Sequence, residues 1–322
     1  MKILFADKFP EKHLETLRGK GHHCVFEPEL AADDLPEAVV GYDALIVRST
    51  RVMANTIDAA DRLKIVIRAG AGTNTIDKQA AADRMIYVCN VPGKNAIAVA
   101  ELTMGLLLSI DRRIPENVMD LRQGHWNKKR YSDARGVYGK TMGIVGLGAV
   151  GLAVAERASA FGLRIFVIRK PGRSSATKAR LAEIGVEFAD TLTALAEQVD
   201  ILTFHVPAAR ETRGLVGHEI LDRMKPGGIV LNTSRGDIVD EAALIAAMDA
   251  KGIWAGLDVY AEEPASGTAV FQSALAQHPN VYGTHHIGAS TEQAQDAVAQ
   301  GVLQILEAFK EGKIINCVNM DV

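Results

Sequence analysis

The sequence predicts an α/β protein made of two doubly wound parallel-sheet domains, one inserted in the other. Apolar runs rich in β-branched residues alternate with helical-period stretches along most of the chain, the pattern of strands and helices wound around parallel sheets. A polar, glycine-punctuated stretch from Arg112 to Lys140 separates two series of such runs. An amphipathic segment after Gly288 follows the second series and is expected to return to the first domain. The 322 residues, 48% hydrophobic and 23% charged, suffice for about two domains.

The expected strands, in order, are KILFA, ALIVR, KIVIRAG, MGIVGLG, RIFVI, DILTFHV, GIVLNT, WAGLDV and NVYGT. Helices are expected over Asn55 to Leu63, Ala96 to Ile110, Val150 to Phe161, Ala176 to Ile184, Glu241 to Ala250 and Thr291 to Lys310. Asp77, ahead of KQAAADR, reads as a helix cap. The first domain is then expected at 1–97 and 288–322, and the inserted one at 98–287, with a helix and arm over 98–140. No repeat of solenoid period and no low-complexity tract interrupts this plan.

A net charge of -3 gives no global electrostatic reason to bind nucleic acid or an anionic membrane, so the expected partner is a small molecule. The uncharged stretch Thr141 to Ala155 is shorter than the roughly 20 residues of a membrane helix. The N-terminal apolar run is too short for a secretory signal, which makes the cytoplasm the expected location. Cys24, Cys89 and Cys317 are odd in number and lack CxxC spacing, against a disulfide framework or a thiolate zinc site.

At Gly146, Leu147, Gly148, Ala149, Val150 and Gly151 the chain reads GLGAVG, after TMGIV and before VGLAVAERASAFG. A lone GxGxxG is weak, but strand, turn and helix here stand in the order that phosphate binding requires. Gly146 would allow the tight turn, Gly148 the approach of backbone to a pyrophosphate, and Gly151 close packing of helix on strand. Free N–H groups at the helix start, with the positive end of its dipole, would meet the phosphates.

The residue after the next strand should read the adenosine ribose, and Arg169 stands there, 169 - 151 = 18 positions after the third glycine. An NAD site has Asp or Glu at this point. Lys170, Arg173, Ser174 and Ser175 follow, and arginine suits a 2′-phosphate through paired charge-assisted hydrogen bonds. NADP is therefore expected over NAD; the alternative is a solvated basic loop beside a site that accepts either.

GLGAVG is followed in order by NTSRGDIVDEAAL, LDVYAEEP and HHIGASTEQAQ, and the chain thereby resembles the D-isomer-specific 2-hydroxyacid dehydrogenase family. VRST at Val47 to Thr50, RAGAGTNTID at Arg68 to Asp77 and the VAELTMGLLL helix resemble its 3-phosphoglycerate dehydrogenase branch. The resemblance implies a Rossmann nucleotide-binding domain inserted in a flavodoxin-like substrate domain, with the active site in the cleft between them. It places a catalytic trio on Arg235, Glu263 and His286. It carries cofactor contacts to Pro207, Thr212, Thr233, Ser234 and Asp258, the last toward the nicotinamide carboxamide. Substrate contacts go to Arg48 and to the loop Ala71, Gly72, Thr73 and Asn74. A twofold homodimer is also implied.

These residue types suit the chemistry. Arg235 can hold a carboxylate bidentately and polarise the 2-oxygen. His286 can take the hydroxyl proton during oxidation and return it during reduction. Glu263, hydrogen-bonded to it, would orient the imidazole and favour its charged form. The bland readings are a solvated turn arginine, a surface carboxylate and a satisfied loop histidine; three such coincidences would be needed together.

Three departures from the family pattern stand out. Arg169 replaces an acidic residue. His285 replaces the proline before the catalytic histidine; no ligand set at metal spacing accompanies the histidine pair, so no metal is expected. The chain ends at Val322 without the regulatory extension of longer phosphoglycerate dehydrogenases, so serine feedback through such a domain is not expected. Lys128, Lys129 and Arg130, after Trp126, could supply a substrate phosphate site across a dimer, or be a solvated face. Alternative functions are a hydroxypyruvate or glyoxylate reductase and a nucleotide-sensing regulator of the same fold. Glu263, where formate dehydrogenases carry glutamine, argues against that relative. A methyltransferase would keep an acid where Arg169 stands.

Overall fold

The computed structural model describes residues 1–264 and 268–321. Contacts divide the chain into two units, one of Met1–Asn95 with Ala289–Val322, the other of Ala96–Gly288.

In the first unit the strands are β1 (Lys2–Phe5), β2 (His23–Phe26), β3 (Ala44–Val47), β4 (Ile65–Arg68) and β5 (Tyr87–Asn90). They form an all-parallel sheet in the order β2-β1-β3-β4-β5. Helices α1 (Glu11–Gly19), α2 (Leu35–Ala38), α3 (Ala54–Ala59) and α4 (Lys78–Asp83) are the crossovers. Buried side chains alternate between two clusters, Ile3, Phe5, Ile46 and Ile67 in one and Leu4, Leu45, Val47 and Val66 in the other. Both faces of the sheet are thus covered, which is why its central strands read as unbroken apolar runs. The expected helix from Asn55 ends at Ala59 rather than Leu63, because Ala60 turns to extended backbone (ψ 124°) and the chain must enter β4 at Ile65. Asp77 caps α4, its side chain accepting the Ala80 N–H at 3.0 Å.

The second unit opens with α5 (Ala96–Arg112) and α6 (Ile114–Arg122), and continues with β6 (Thr141–Val145), α7 (Ala149–Ala160), β7 (Arg164–Ile168), α8 (Ser175–Ile184) and β8 (Glu187–Ala189). Then come α9 (Leu192–Gln198), β9 (Ile201–Phe204), α10 (His218–Leu221), β10 (Ile229–Asn232), α11 (Glu241–Lys251), β11 (Trp254–Leu257) and β12 (Val281–Gly283). Its seven strands run parallel in the order β12-β11-β10-β9-β6-β7-β8. The order reverses around β6, so the carboxyl ends of β6 and β9 flank the topological switch point where open α/β sheets bind ligands. α5 is apolar on more than one face, a pattern shared by intersubunit helices and buried core helices. Within this unit Met104, Leu106, Leu107 and Ile110 join the core beneath β6, β7 and β10, so a core role already accounts for that pattern. The polar stretch 112–140 holds more structure than expected, namely α6 and a 3-10 turn at Lys128–Tyr131.

The last helix, α12 (Glu292–Lys310), belongs to the first unit, where Ala299, Val302, Leu303, Ile305 and Leu306 pack in the cluster of Ile3 and Phe5. Beyond it, residues 316–318 pair with β5 through Asn90 N–H to Asn316 O and Val318 N–H to Val88 O. Cys24 and Cys89 are buried and Cys317 is half-buried, all three as thiols. Among the described residues no helix is long and apolar enough to cross a membrane.

Candidate active site

The glycine turn joins β6 to α7 at the switch point. Gly146 has φ +96°, and a Cβ there would lie 2.3 Å from the His205 carbonyl oxygen at the end of β9. A Cβ on Gly151 would meet the Gly146 carbonyl at 1.9 Å, so helix and strand approach only because that atom is missing. Gly148 is different. It caps α7 in extended backbone, and nothing lies within 4 Å of where its Cβ would be. Two glycines serve internal packing and the third leaves open space at the start of a helix whose first residues are Ala149 and Val150, an arrangement that fits a pyrophosphate.

Beside the turn is a cavity of about 590 Å3, lined among others by Gly146, Gly148, Arg169, Lys170, Arg173 and Thr177. Arg169 follows β7, donates Nε–H to Asp190 at 3.1 Å and lies over the Phe188 ring. Arg173 shares that ring and donates to the Ile168 carbonyl at 2.5 Å. Burial holds the Arg173 guanidinium below its ordinary value, although it remains a cation at neutral pH. Ser174 is committed as the cap of α8, accepting from Thr177 N–H at 3.2 Å.

After β9, Thr212 braces the loop that starts at Pro207, its hydroxyl donating to the Pro207 carbonyl at 2.7 Å and accepting the Ala209 N–H at 2.9 Å. After β10 the chain reads Asn232-Thr233-Ser234-Arg235. Thr233 is buried, with its hydroxyl 2.9 Å from that of Thr103 on α5. Asn232, fully buried, takes the Ser234 N–H and hydroxyl on Oδ1 and gives Nδ2–H to the Arg235 carbonyl. Its amide therefore sets the turn that presents Arg235, a role the sequence reading missed although this asparagine opens the NTSRG motif. Gly236 completes the turn, since a Cβ there would overlap the Tyr260 carbonyl at 2.0 Å. Burial holds the Arg235 guanidinium below its ordinary value, against the opposing charges of Glu263 and Asp237.

Glu263 and His286 meet. Glu263 Oε2 lies 2.6 Å from His286 Nδ1, and Oε1 accepts the Tyr260 N–H at 2.9 Å. Burial would raise the Glu263 carboxyl, yet the His286 hydrogen bond, the Tyr260 N–H and the charges of His286 and Arg235 outweigh it, leaving the group below its usual range. An ionised carboxylate can only accept, so Nδ1 carries the proton and Nε2 is left for exchange with a ligand. The imidazole is half exposed at 50%, as such exchange requires.

The backbone of His286 sits in the left-handed region at φ +52°, unusual for a residue with a side chain. Asp258, 1% exposed after β11, holds it there. Its Oδ1 accepts the Thr284 hydroxyl at 2.6 Å and the Ile287 N–H at 2.8 Å. Its Oδ2 accepts the Gly288 N–H at 2.8 Å, while its carbonyl accepts the His286 N–H at 2.8 Å. The sequence reading gave Asp258 only a cofactor contact. Its clamp on the histidine loop was hidden because it joins residues about 30 positions apart.

Arg235, Glu263, His286 and the glycine turn all lie in the second unit. Residues 104–288 match the D-isomer specific 2-hydroxyacid dehydrogenase, NAD binding domain family. The chain belongs to that family. As a 2-hydroxyacid dehydrogenase relative it is 38% identical to a D-3-phosphoglycerate dehydrogenase of Methanocaldococcus jannaschii over 324 residues, covering 99% of this chain and 60% of that protein. It is 37% identical to a hydroxypyruvate reductase of Thermotoga maritima over 312 residues, covering 96% of this chain and 98% of that one. The crystal structure of NAD+-bound 3-phosphoglycerate dehydrogenase from Entamoeba histolytica superposes with a TM-score of 0.80 at 28% identity, covering 100% of this chain and 99% of that one. The chain spans about 60% of the length of the curated D-3-phosphoglycerate dehydrogenases it matches first.

The residues expected to touch substrate in this family member's first unit lie at the carboxyl ends of β3 and β4. Arg48 directly follows β3 and donates to the Ser290 hydroxyl at 3.3 Å. In the loop after β4, the Ala71 carbonyl accepts Asn90 Nδ2–H at 2.5 Å, Gly72 is half-buried, Thr73 is buried and Asn74 is exposed. On the arm, Arg130 pairs with Asp120 at 3.1 Å and lies over Tyr131, and Lys128, Lys129 and Arg130 are all exposed. His285 is exposed, and among the described residues no group of three His, Cys, Asp or Glu side chains could hold a metal ion.

Proposed function

We propose that the protein is an NAD(P)-dependent D-2-hydroxyacid dehydrogenase of the 3-phosphoglycerate dehydrogenase type, interconverting a 2-hydroxy acid and its 2-keto acid. The observation that carries this reading is the Glu263–His286 pair, which fixes the imidazole tautomer and leaves Nε2 free half-way into solvent. A bound nicotinamide supplies or accepts the hydride. The Arg235 guanidinium holds the substrate carboxylate and draws charge onto the 2-oxygen, while His286 gives that oxygen its proton in reduction and removes it in oxidation. Glu263 stays ionised and supports the imidazolium that precedes proton donation. Arg48 and the Ala71–Asn74 loop contact the remainder of the acid.

NADP is the favoured cofactor in this reading. Arg169 and Lys170 line the cavity beside the glycine turn together with Arg173, and no carboxylate follows β7 to take the ribose hydroxyls. A hydroxypyruvate reductase activity is the second reading, favoured by the match to the Thermotoga maritima protein over 98% of its length. A second copy of the chain is the expected partner, covering Met119, Leu121, Trp126 and Tyr138, which lie exposed on α6 and the arm.

The test is His286→Ala. Turnover of hydroxypyruvate and 3-phosphohydroxypyruvate should fall by two to four powers of ten, the range for loss of a general acid-base (about 10²–10⁴-fold). NADPH affinity should stay within about threefold, since the side chain reaches the substrate oxygen rather than the phosphates. Turnover retained at a tenth or more of the unmodified rate contradicts the assignment.

A further inference from the structure

Asp7 follows β1 and appears in no motif, yet its carboxylate is among the most heavily used in the first unit. One oxygen, Oδ2, accepts three successive backbone N–H groups, from Arg48 at 2.6 Å, Ser49 at 3.0 Å and Thr50 at 3.0 Å. Successive amides converging on one point form a nest, a concave anion site made by main chain. β1 and β3 are neighbours in register, Ile3 with Ala44 through Phe5 with Ile46, so the chain leaving β1 is beside the chain leaving β3 at the same sheet edge. The Ala6 N–H bonds the Ile46 carbonyl at 3.0 Å, which carries the pairing one residue further and delivers Asp7 under the turn.

The consequence concerns Arg48. The turn Arg48–Thr50 is where β3 ends, and without a partner its three amides would compete with the arginine for any anion arriving there. With Asp7 in the nest those amides are committed, and the guanidinium is the anion-binding group left on the turn. Its far end is steadied by the Ser290 hydroxyl just before α12. The main chain beneath Arg48 is thus fixed by a charge-assisted contact, stronger than a neutral hydrogen bond.

We propose that Asp7 is a positioning residue for substrate binding: its carboxylate sets the Arg48–Thr50 turn so that the Arg48 guanidinium is presented to the part of the 2-keto acid beyond the carboxylate that Arg235 holds. The proposal rests on the reading of Arg48 as a substrate contact. It differs from a purely structural fastening of two strand ends, which would act on folding stability and leave substrate affinity alone.

The experiment is steady-state kinetics of the full chain with NADPH and either hydroxypyruvate or 3-phosphohydroxypyruvate, on Asp7→Asn, Asp7→Ala, Arg48→Ala and the Asp7→Asn/Arg48→Ala pair. Asp7→Asn keeps a neutral acceptor and should raise KM about tenfold, and Asp7→Ala should raise it further. In both, kcat and the NADPH dissociation constant should stay within about twofold. In the Arg48→Ala background Asp7→Asn should add little, because two residues acting through one contact are not additive. Amide exchange, read by mass spectrometry, should quicken at residues 48–50 in the Asp7 variants and stay unchanged in β1 and β3.

A rise in KM with Arg48→Ala but none with either Asp7 variant overturns the proposal and leaves the reading of Arg48 standing. No rise with Arg48→Ala overturns both. Additive effects in the double variant, or loss of kcat and nucleotide affinity alongside KM, show a general structural role and overturn it as well. Should Asp7→Ala fail to fold, Asp7→Asn and the exchange rates decide alone.

Discussion

Asp258→Asn tests the reasoning about the histidine loop. In the structure the carboxylate accepts three donors, Thr284 Oγ1 at 2.6 Å, Ile287 N–H at 2.8 Å and Gly288 N–H at 2.8 Å. Asparagine can keep its oxygen toward the first two, but its NH2 group then faces the Gly288 N–H, donor against donor. One hydrogen bond to a charged group is lost, roughly 1.5–3 kcal/mol, in a site where solvent cannot replace it. The two that remain fall to neutral strength, about half of a charge-assisted bond. A left-handed non-glycine residue such as His286 stores about 1–3 kcal/mol of strain that the surroundings must hold. The weakened clamp no longer exceeds that strain comfortably, so the loop relaxes and Nε2 leaves its place. If 2–3 kcal/mol of the loss reaches the transition state, kcat/KM falls roughly 30- to 150-fold, at about 1.4 kcal/mol per power of ten. The assay is keto acid reduction at saturating NADPH, with nucleotide affinity measured by fluorescence in parallel. Thr284→Val, which removes one donor from the same carboxylate, should lower kcat in the same direction by a smaller factor. Turnover within threefold of the unmodified protein for Asp258→Asn refutes the clamp. A loss confined to nucleotide affinity would show that the residue serves the cofactor and not the loop.

Two other outcomes follow from single side chains. If Arg169 holds a 2′-phosphate, Arg169→Asp should shift the NADPH to NADH preference by one or more powers of ten, on the order of 1.5–3 kcal/mol for a charge-assisted contact; an unchanged ratio of kcat/KM removes the argument for NADP. His205 is pushed down to about 3 by burial. Its folded value is below its unfolded value near 6.5, so the unfolded chain binds the proton more readily and stability is full above about pH 6.5 and falls as pH drops toward 3. Urea unfolding of His205→Gln should show a shallower loss between pH 7 and pH 5 than the unmodified protein, by on the order of 1–2 kcal/mol at the lower pH; parallel slopes would place the titration elsewhere.

Much of the fold was legible because both sheets are covered on both faces, so their central strands read as bare apolar runs. The strands that escaped, HCVF of β2, YVCN of β5 and EFA of β8, lie at sheet edges, and two of the three show exposed residues where a buried run was sought. α6 escaped because its few apolar residues, Ile114, Val118, Met119 and Leu121, are set among charges in a stretch that reads as polar, and all four are exposed. Helices with capping signals fared better, as Asp77 shows. In the site, the glycine turn was readable since each glycine answers a local steric need, and Arg235, Glu263 and His286 because they sit in ordered motifs. The residues that hold the site in shape were not. Asp258 and Asp7 act by bonding to backbone that folds back from elsewhere, and no spacing in the sequence records which N–H will arrive beside which carboxylate; Asn232 bonds only the turn that follows it, but its amide role shows only once that turn is folded.

The central claim is hydride transfer to a 2-keto acid at the Arg235, Glu263 and His286 constellation. The most direct measurement is the consumption of NADPH and, separately, NADH by the purified chain with 3-phosphohydroxypyruvate, hydroxypyruvate, glyoxylate, pyruvate and bulkier 2-keto acids. The account predicts turnover on at least one acid of this panel, faster with NADPH than with NADH. Tight nucleotide binding without turnover on any of them would contradict it and favour a nucleotide-sensing relative that keeps the fold without the reaction, or a keto acid outside the panel.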